Sequence, residues 1–151
     1  GAGGEVGHMP MPWHTDWPCT CGKFGCLEVT SSATGIIRAA RQFPPFSQME
    51  HVTAKDVFDA AREGNADARQ VVAEAARCLG TAAAIIGCVV NPELFVIGGG
   101  VSAAGEMLLA PVREAYRQQV FPPSRDADFV QATLGNRAGI YGGAGLFLCE
   151  V

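Results

Sequence analysis

Apolar residues recur at helical spacing in several stretches of this chain and as short continuous runs in two others. From Glu28 to Phe43, Ile36, Ile37, Ala39 and Ala40 lie around Arg38 and Arg41, which predicts one helix stopped by Pro44-Pro45. Thr53, with Asp56 three residues on, has the form of an N-cap with an acidic third position. It opens a short helix through Val57, Phe58, Ala60 and Ala61 that closes near Gly64. The longest helix is expected from about Ala68 to Val90, capped from within Asn65 to Asp67. Its first half sets Val71, Val72, Ala75 and Ala76 against Arg69, Glu74 and Arg77, whereas Leu79 to Val90 is apolar around the whole circumference and is expected to be buried on every side.

Asn91-Pro92 breaks that helix, and Leu94-Phe95-Val96-Ile97 has the length and composition of a buried strand running into Gly98-Gly99-Gly100. A helix from about Ala104 to Val120 follows, with Ser102 available as its cap. A second strand is expected near Asp128 to Thr133, a turn at Gly135-Asn136, and a closing helix from Ala138 to Leu148 whose glycines suit close packing. Helix and strand alternate, which makes the fold α/β. Two strands are too few for a free-standing parallel sheet covered on both faces. The missing strands are expected upstream of Gly1, and the chain reads as one cut from a longer protein.

The 151 residues are 48% apolar and 17% charged, enough to bury a core. A formal charge of -4 gives no electrostatic footprint for nucleic acid or an anionic membrane surface, so a small-molecule partner fits better. The longest uncharged apolar run, Cys78 to Val90, is short of a bilayer span and suits a buried helix, and no signal peptide is recognisable.

Three of the six cysteines are crowded into Cys19-Thr20-Cys21-Gly22-Lys23-Phe24-Gly25-Cys26, with His8 upstream. One imidazole and three thiolates make a closed tetrahedral set, the kind that holds structural zinc and leaves no position for a reactive water. Such ligation implies a reducing, cytoplasmic setting. His14 is a competing candidate ligand. Cys78, Cys88 and Cys149 stand among apolar residues and are expected to be free buried thiols.

These residues also carry a resemblance. Glu5-Val6-Gly7-His8 resembles the Glu-x-Gly-His motif of the ROK family of sugar kinases. Cys19 to Glu28 is similar to that family's Cys-x-Cys-Gly-x-x-Gly-Cys-x-Glu signature at every fixed position. Ser32-Ala33-Thr34-Gly35-Ile36, Asn91-Pro92-Glu93, Gly98-Gly99-Gly100-Val101-Ser102 and Thr133 to Gly139 resemble the bacillus-type glucokinases of the family in particular, so the likeness runs along essentially the whole chain.

The resemblance implies a partial actin-like ATPase fold of the ribonuclease H-like class, mostly its larger C-terminal lobe. Residues 1–28 would be the zinc and sugar loop, and 29–151 the helices and sheet remnant with a nucleotide-side glycine turn. It implies that Glu5, His8 and Glu28 contact sugar hydroxyls, that Gly98, Gly99 and Gly100 approach ATP, and that zinc is held by His8, Cys19, Cys21 and Cys26. His8 serves both roles if one ring nitrogen binds the metal and the other donates outward.

The implied reaction is phosphorylation of a hexose, glucose above all, by ATP with Mg²⁺, in a protein that is commonly a homo-oligomer. The family's Asp-x-Gly-x-Thr phosphate loop and general-base Asp find no match here, so the chain alone is expected to be inactive. The same motifs occur in sugar-responsive repressors of the family that add a DNA-binding domain, which is the second reading. A zinc-stabilised interaction module is the third.

Overall fold

The computed structural model describes residues 3–148. Its elements, in chain order, are α1 (Leu27–Ser31), α2 (Ala33–Ala40), α3 (Ala54–Glu63), α4 (Ala66–Val90), β1 (Leu94–Ile97), α5 (Glu106–Gln119), β2 (Asp128–Gln131) and α6 (Ala138–Leu148), with short 3-10 turns between them.

Local chemistry starts and stops α3 and α4 where the sequence indicates. Thr53 and Asp56 form a reciprocal capping box: the Thr53 hydroxyl accepts from the Asp56 N–H at 3.2 Å, and the Asp56 carboxylate accepts from the Thr53 N–H at 2.8 Å. Gly64, at φ 103°, ends α3 in the left-handed region. Asn65 then caps α4 by accepting from the Ala68 N–H at 2.8 Å.

The helix expected over 28–43 is instead two. Ser32 is extended (φ -79°, ψ 166°), and its hydroxyl caps α2 by accepting from the Gly35 N–H at 3.1 Å. Gly35 lies so close over the end of α1 that a Cβ would come 2.4 Å from the Val29 carbonyl oxygen. The break is thus a packing device that folds α2 back on α1, and Ser32, tolerable within a helix, does not announce it.

The core is built on α4, which packs against α3 and α5. At Gly80 the helices touch backbone to backbone, and at Gly87 the Tyr116 ring fills the space a Cβ would take. α4 has the length and hydropathy of a membrane span, but 56% of its most apolar window is buried inside the protein, as in a core helix. The expectation that its second half is buried all round does not hold. Ile85, Cys88, Val89 and Val90 are exposed, because α5 covers one side and no described residue covers the other. Cys88 is therefore an exposed thiol. Cys78 is buried as expected, with its thiol pushed up to about 11 by that burial, and Cys149 lies outside the described residues.

β1 and β2 pair in parallel, with Leu94 opposite Asp128 and Ile97 opposite Gln131, and α5 forms the crossover between them. Phe95 and Phe129 stack at 4.7 Å and meet the Tyr116 ring of α5 edge-on. The other face, with Leu94, Val96 and Val130, is exposed, so β1 is half-covered and not the buried strand its composition suggests. Ser102 is buried, but it donates to the Gly99 carbonyl at 2.7 Å and so braces the glycine turn instead of capping α5. α6 is exposed along its length, and its glycines meet nothing among the described residues.

Candidate metal centre and the residues around it

The segment before α1 has almost no regular structure, and a few backbone bonds fold it into a knuckle. The Met11 N–H donates to the Gly25 carbonyl at 2.8 Å, Leu27 to Met9 at 2.9 Å, and Cys19 to Lys23 at 2.8 Å. Gly25, at φ 66°, also lies where a Cβ would press to 3.1 Å from the Thr15 Cα, so both conformation and space require glycine there.

This folding brings His8, Cys19, Cys21 and Cys26 together, with all four donor atoms within 4.8 Å of one another. Cys19 Sγ is 3.5 Å from His8 Nδ1, and Cys21 Sγ is 3.7 Å from Cys26 Sγ. Zinc-type bond lengths in a tetrahedron give edges of about 3.6 Å for sulfur to nitrogen and about 3.8 Å for sulfur to sulfur, so these two edges match a four-coordinate metal of that size.

Burial and hydrogen bonding act on the thiols in opposite senses. Cys26 is fully buried, and burial, together with the neighbouring sulfurs of Cys19 and Cys21, pushes its thiol up to about 11. Cys21 is exposed, and the Lys23 backbone N–H chiefly lowers it. A metal must take a proton from Cys26, so binding to this set releases protons. Lys23 also reaches over the knuckle and donates from Nζ to the His8 carbonyl at 3.0 Å.

Glu28 stands in the first turn of α1, with Oε2 3.5 Å from Cys19 Sγ and 3.8 Å from His8 Nδ1. Gly7 backs onto it, a Cβ there falling 3.7 Å from the Glu28 Cβ. Glu5 is exposed just before the 3-10 turn Val6–His8, and its carbonyl accepts from the His8 N–H at 3.1 Å. Because Nδ1 faces the sulfurs, His8 Nε2 is on the far side of the ring. Beside this group an open depression of about 140 Å³ is lined by Cys19, Thr20, Glu28, Ser32, Thr34 and Arg38.

The glycine turn is a separate place. Gly98, Gly99 and Gly100 follow the C-terminal end of β1, the edge at which ligands of parallel α/β sheets bind. Gly99 has φ 83°, and a Cβ at Gly99 or Gly100 would meet nothing within 4 Å. A cavity of about 420 Å³ opens there between Gly100, Ala103 and Ala104 and the α3 residues Lys55, Phe58, Asp59 and Arg62.

His14 is not among the grouped donors. Its ring stacks on Trp17 at 3.8 Å and faces Glu74 of α4. The cation–π contacts on the two tryptophans, Arg77 over Trp13 at 4.7 Å and Arg38 over Trp17 at 5.4 Å, have no signature in sequence spacing. The one available hint was two tryptophans in a proline-rich loop with no periodic partner.

The ROK family model matches residues 1–150. The chain belongs to the ROK family. It is 43% identical to a glucokinase of Halalkalibacterium halodurans over 97% of its own length and 48% of that protein. It is 29% identical to a xylose repressor of Caldicellulosiruptor bescii over 80% of this chain and 32% of that one. The structure of a ROK family glucokinase from Streptomyces griseus, in complex with glucose and AMPPNP, superposes with a TM-score of 0.81 at 30% identity, covering 94% of this chain and 50% of that one. The chain spans about half the length of the glucokinases it matches. Its fold is that of the actin-like ATPases to which the ROK sugar kinases belong, represented here by a mostly helical part with a small parallel sheet.

Proposed function

We propose that these residues serve an ATP-dependent hexose kinase, with glucose phosphorylated at its 6-hydroxyl, and that His8, Cys19, Cys21 and Cys26 hold a structural zinc. The observation that carries this reading is the orientation of His8: Nδ1 lies among three sulfurs while Glu28 and Glu5 flank the same residue. When bound, zinc fixes the knuckle and polarises the imidazole. His8 Nε2–H then donates outward to a sugar oxygen, and Glu5 and Glu28 accept from sugar hydroxyls. The Cys19 thiol donates to Glu28 Oε2 at 3.5 Å, and a metal held by Cys19 would take that proton and leave the carboxylate to accept from a hydroxyl. These three side chains bind and orient the sugar, leaving its 6-hydroxyl to a base and a phosphate loop that this sequence does not match.

Nucleotide is assigned to Gly98, Gly99 and Gly100, where the open backbone permits close approach and the adjoining cavity offers Phe58 to an apolar ring, while Lys55 and Arg62 on its wall are paired with Asp59. Mg²⁺ enters with ATP. The glucokinase relatives and the glucose and AMPPNP complex of the Streptomyces griseus neighbour support this choice.

The likeness to a xylose repressor supports a second reading, a sugar-responsive regulator that shares the loop. One experiment separates them. The full-length gene product is assayed for ATP-dependent phosphorylation of glucose and other hexoses, with bound zinc quantified. Turnover with one zinc per chain is the expected result. Zinc and sugar binding without turnover on any hexose would transfer the assignment to the regulator.

A further inference from the structure

The loop between the first metal donor and the second leaves the knuckle after His8 and returns at Cys19. Nothing in the proposed chemistry uses His14, yet this residue is heavily constrained. Its backbone is left-handed at φ 50°, a conformation that costs most side chains about 1 kcal/mol or more. Its ring lies parallel on Trp17, 3.8 Å between centroids with 19° between planes, and its Nε2 is 2.5 Å from Glu74 Oε1, without the alignment of a hydrogen bond. Both partners are largely covered, with side chains 21% and 26% exposed.

Each neighbour of His14 leads to a different part of the molecule. Trp17 packs with Cys19, Cys26 and Val29, which puts the far side of the stack against two metal donors. Glu74 belongs to α4, and one turn along the same helix Arg77 covers Trp13. Arg38 of α2 covers Trp17 from the third side.

We propose that His14 and Glu74 form a latch that clamps the donor-bearing loop onto α4, making His14 a positioning residue for the metal centre. The inference rests on the metal reading given above. The latch acts through Trp17: released from Glu74, the ring no longer holds the indole against Cys19 and Cys26, and the knuckle opens more often to exchange its metal. The metal itself is not touched by either residue, so its stoichiometry stays at one while its lifetime shortens.

The test compares zinc-loaded wild type with H14N, E74Q and the double variant. Asparagine tolerates the left-handed backbone, so H14N removes the side chain without adding strain, and E74Q changes one partly exposed helical side chain and leaves the fold in place. Zinc release to a chromophoric chelator is followed, with Trp17 emission recorded in a Trp13→Phe background. Each single variant is expected to release zinc about 3- to 10-fold faster, E74Q to shift Trp17 emission, and the double variant to be no faster than the singles. Release rates unchanged from wild type, or effects of the two substitutions that multiply, would overturn the latch while leaving the metal reading intact. A wild-type protein that binds no zinc would overturn both.

Discussion

Gly80→Ala is the substitution whose outcome the structure defines most sharply. A Cβ at this position would lie 2.6 Å from the Ala115 Cβ, 2.6 Å from the Val112 carbonyl oxygen and 3.0 Å from the Tyr116 backbone nitrogen. Carbon atoms in contact settle at about 3.5–4.0 Å, so α5 must retreat by about 1 Å. Two of the three obstructing atoms are backbone and cannot turn aside. The retreat also loosens Leu108, Val112 and Tyr116, all essentially inaccessible to solvent. Replacing a mid-helix glycine by alanine stabilises by about 1 kcal/mol, while overpacking costs about 1–3 kcal/mol and lies at the upper end where backbone is struck. The net is a loss of about 2 kcal/mol, or about 4–8 °C in Tm for a chain of this size. Thermal unfolding of the zinc-loaded protein followed by circular dichroism measures it. Gly142→Ala in α6, where a Cβ meets nothing, is the matched control and should not lower Tm. A Gly80→Ala protein as stable as wild type would refute the account of the α4–α5 contact.

Other consequences are more local. Cys21→Ser, which alters the exposed member of the donor set, should lose stoichiometric zinc and unfold at lower temperature, as metal analysis and a melt would show; one tightly held zinc per chain would remove Cys21 from the set. On the proposed kinase reading, Glu28→Gln in the full-length protein should raise KM for the sugar at least 10-fold while moving KM for ATP less than 2-fold, since losing a charged acceptor costs about 1.5–3 kcal/mol; equal changes in both would argue against a sugar contact. The Asp56 carboxyl is held below its ordinary range chiefly by the Thr53 hydroxyl and backbone N–H. Its native value lies below its unfolded one, so its contribution is complete above about pH 4 and fades as acid protonates it. Asp56→Asn should therefore flatten the acid limb of a stability-versus-pH curve, and an unchanged limb would count against the capping box.

The elements fixed by neighbours in sequence were legible in advance. Thr53 with Asp56, Asn65 before α4, and the cysteine spacing each encode a contact made within a few residues, and the structure makes those contacts. What was not legible depends on distant partners. Ser32 breaks a helix because Gly35 docks on the Val29 carbonyl. Cys88 and Val89 are exposed because burial is decided by what packs on a helix, and apolar composition alone does not say which side is covered. The role of His14 was hidden for the same reason, since Glu74 lies 60 residues away in sequence and no spacing rule connects them.

The long helix α4 also acts as a rule between two addresses. The knuckle rests on it near Glu74, with Ser31 donating to the Ala75 carbonyl, and sixteen residues later, about 24 Å along the axis, it delivers the chain through β1 to the glycine turn. Both loops are mounted on one rigid strut. On the proposed assignment of sugar to the knuckle and nucleotide to the glycine turn, any opening or closing of a cleft between them must then be a motion of some other body towards both mounts at once. On the same reading, a redesign that exchanges the knuckle to suit a different sugar can keep Glu74, Ala75 and Arg77 as a standard fitting and leave the spacing to the glycine turn unchanged.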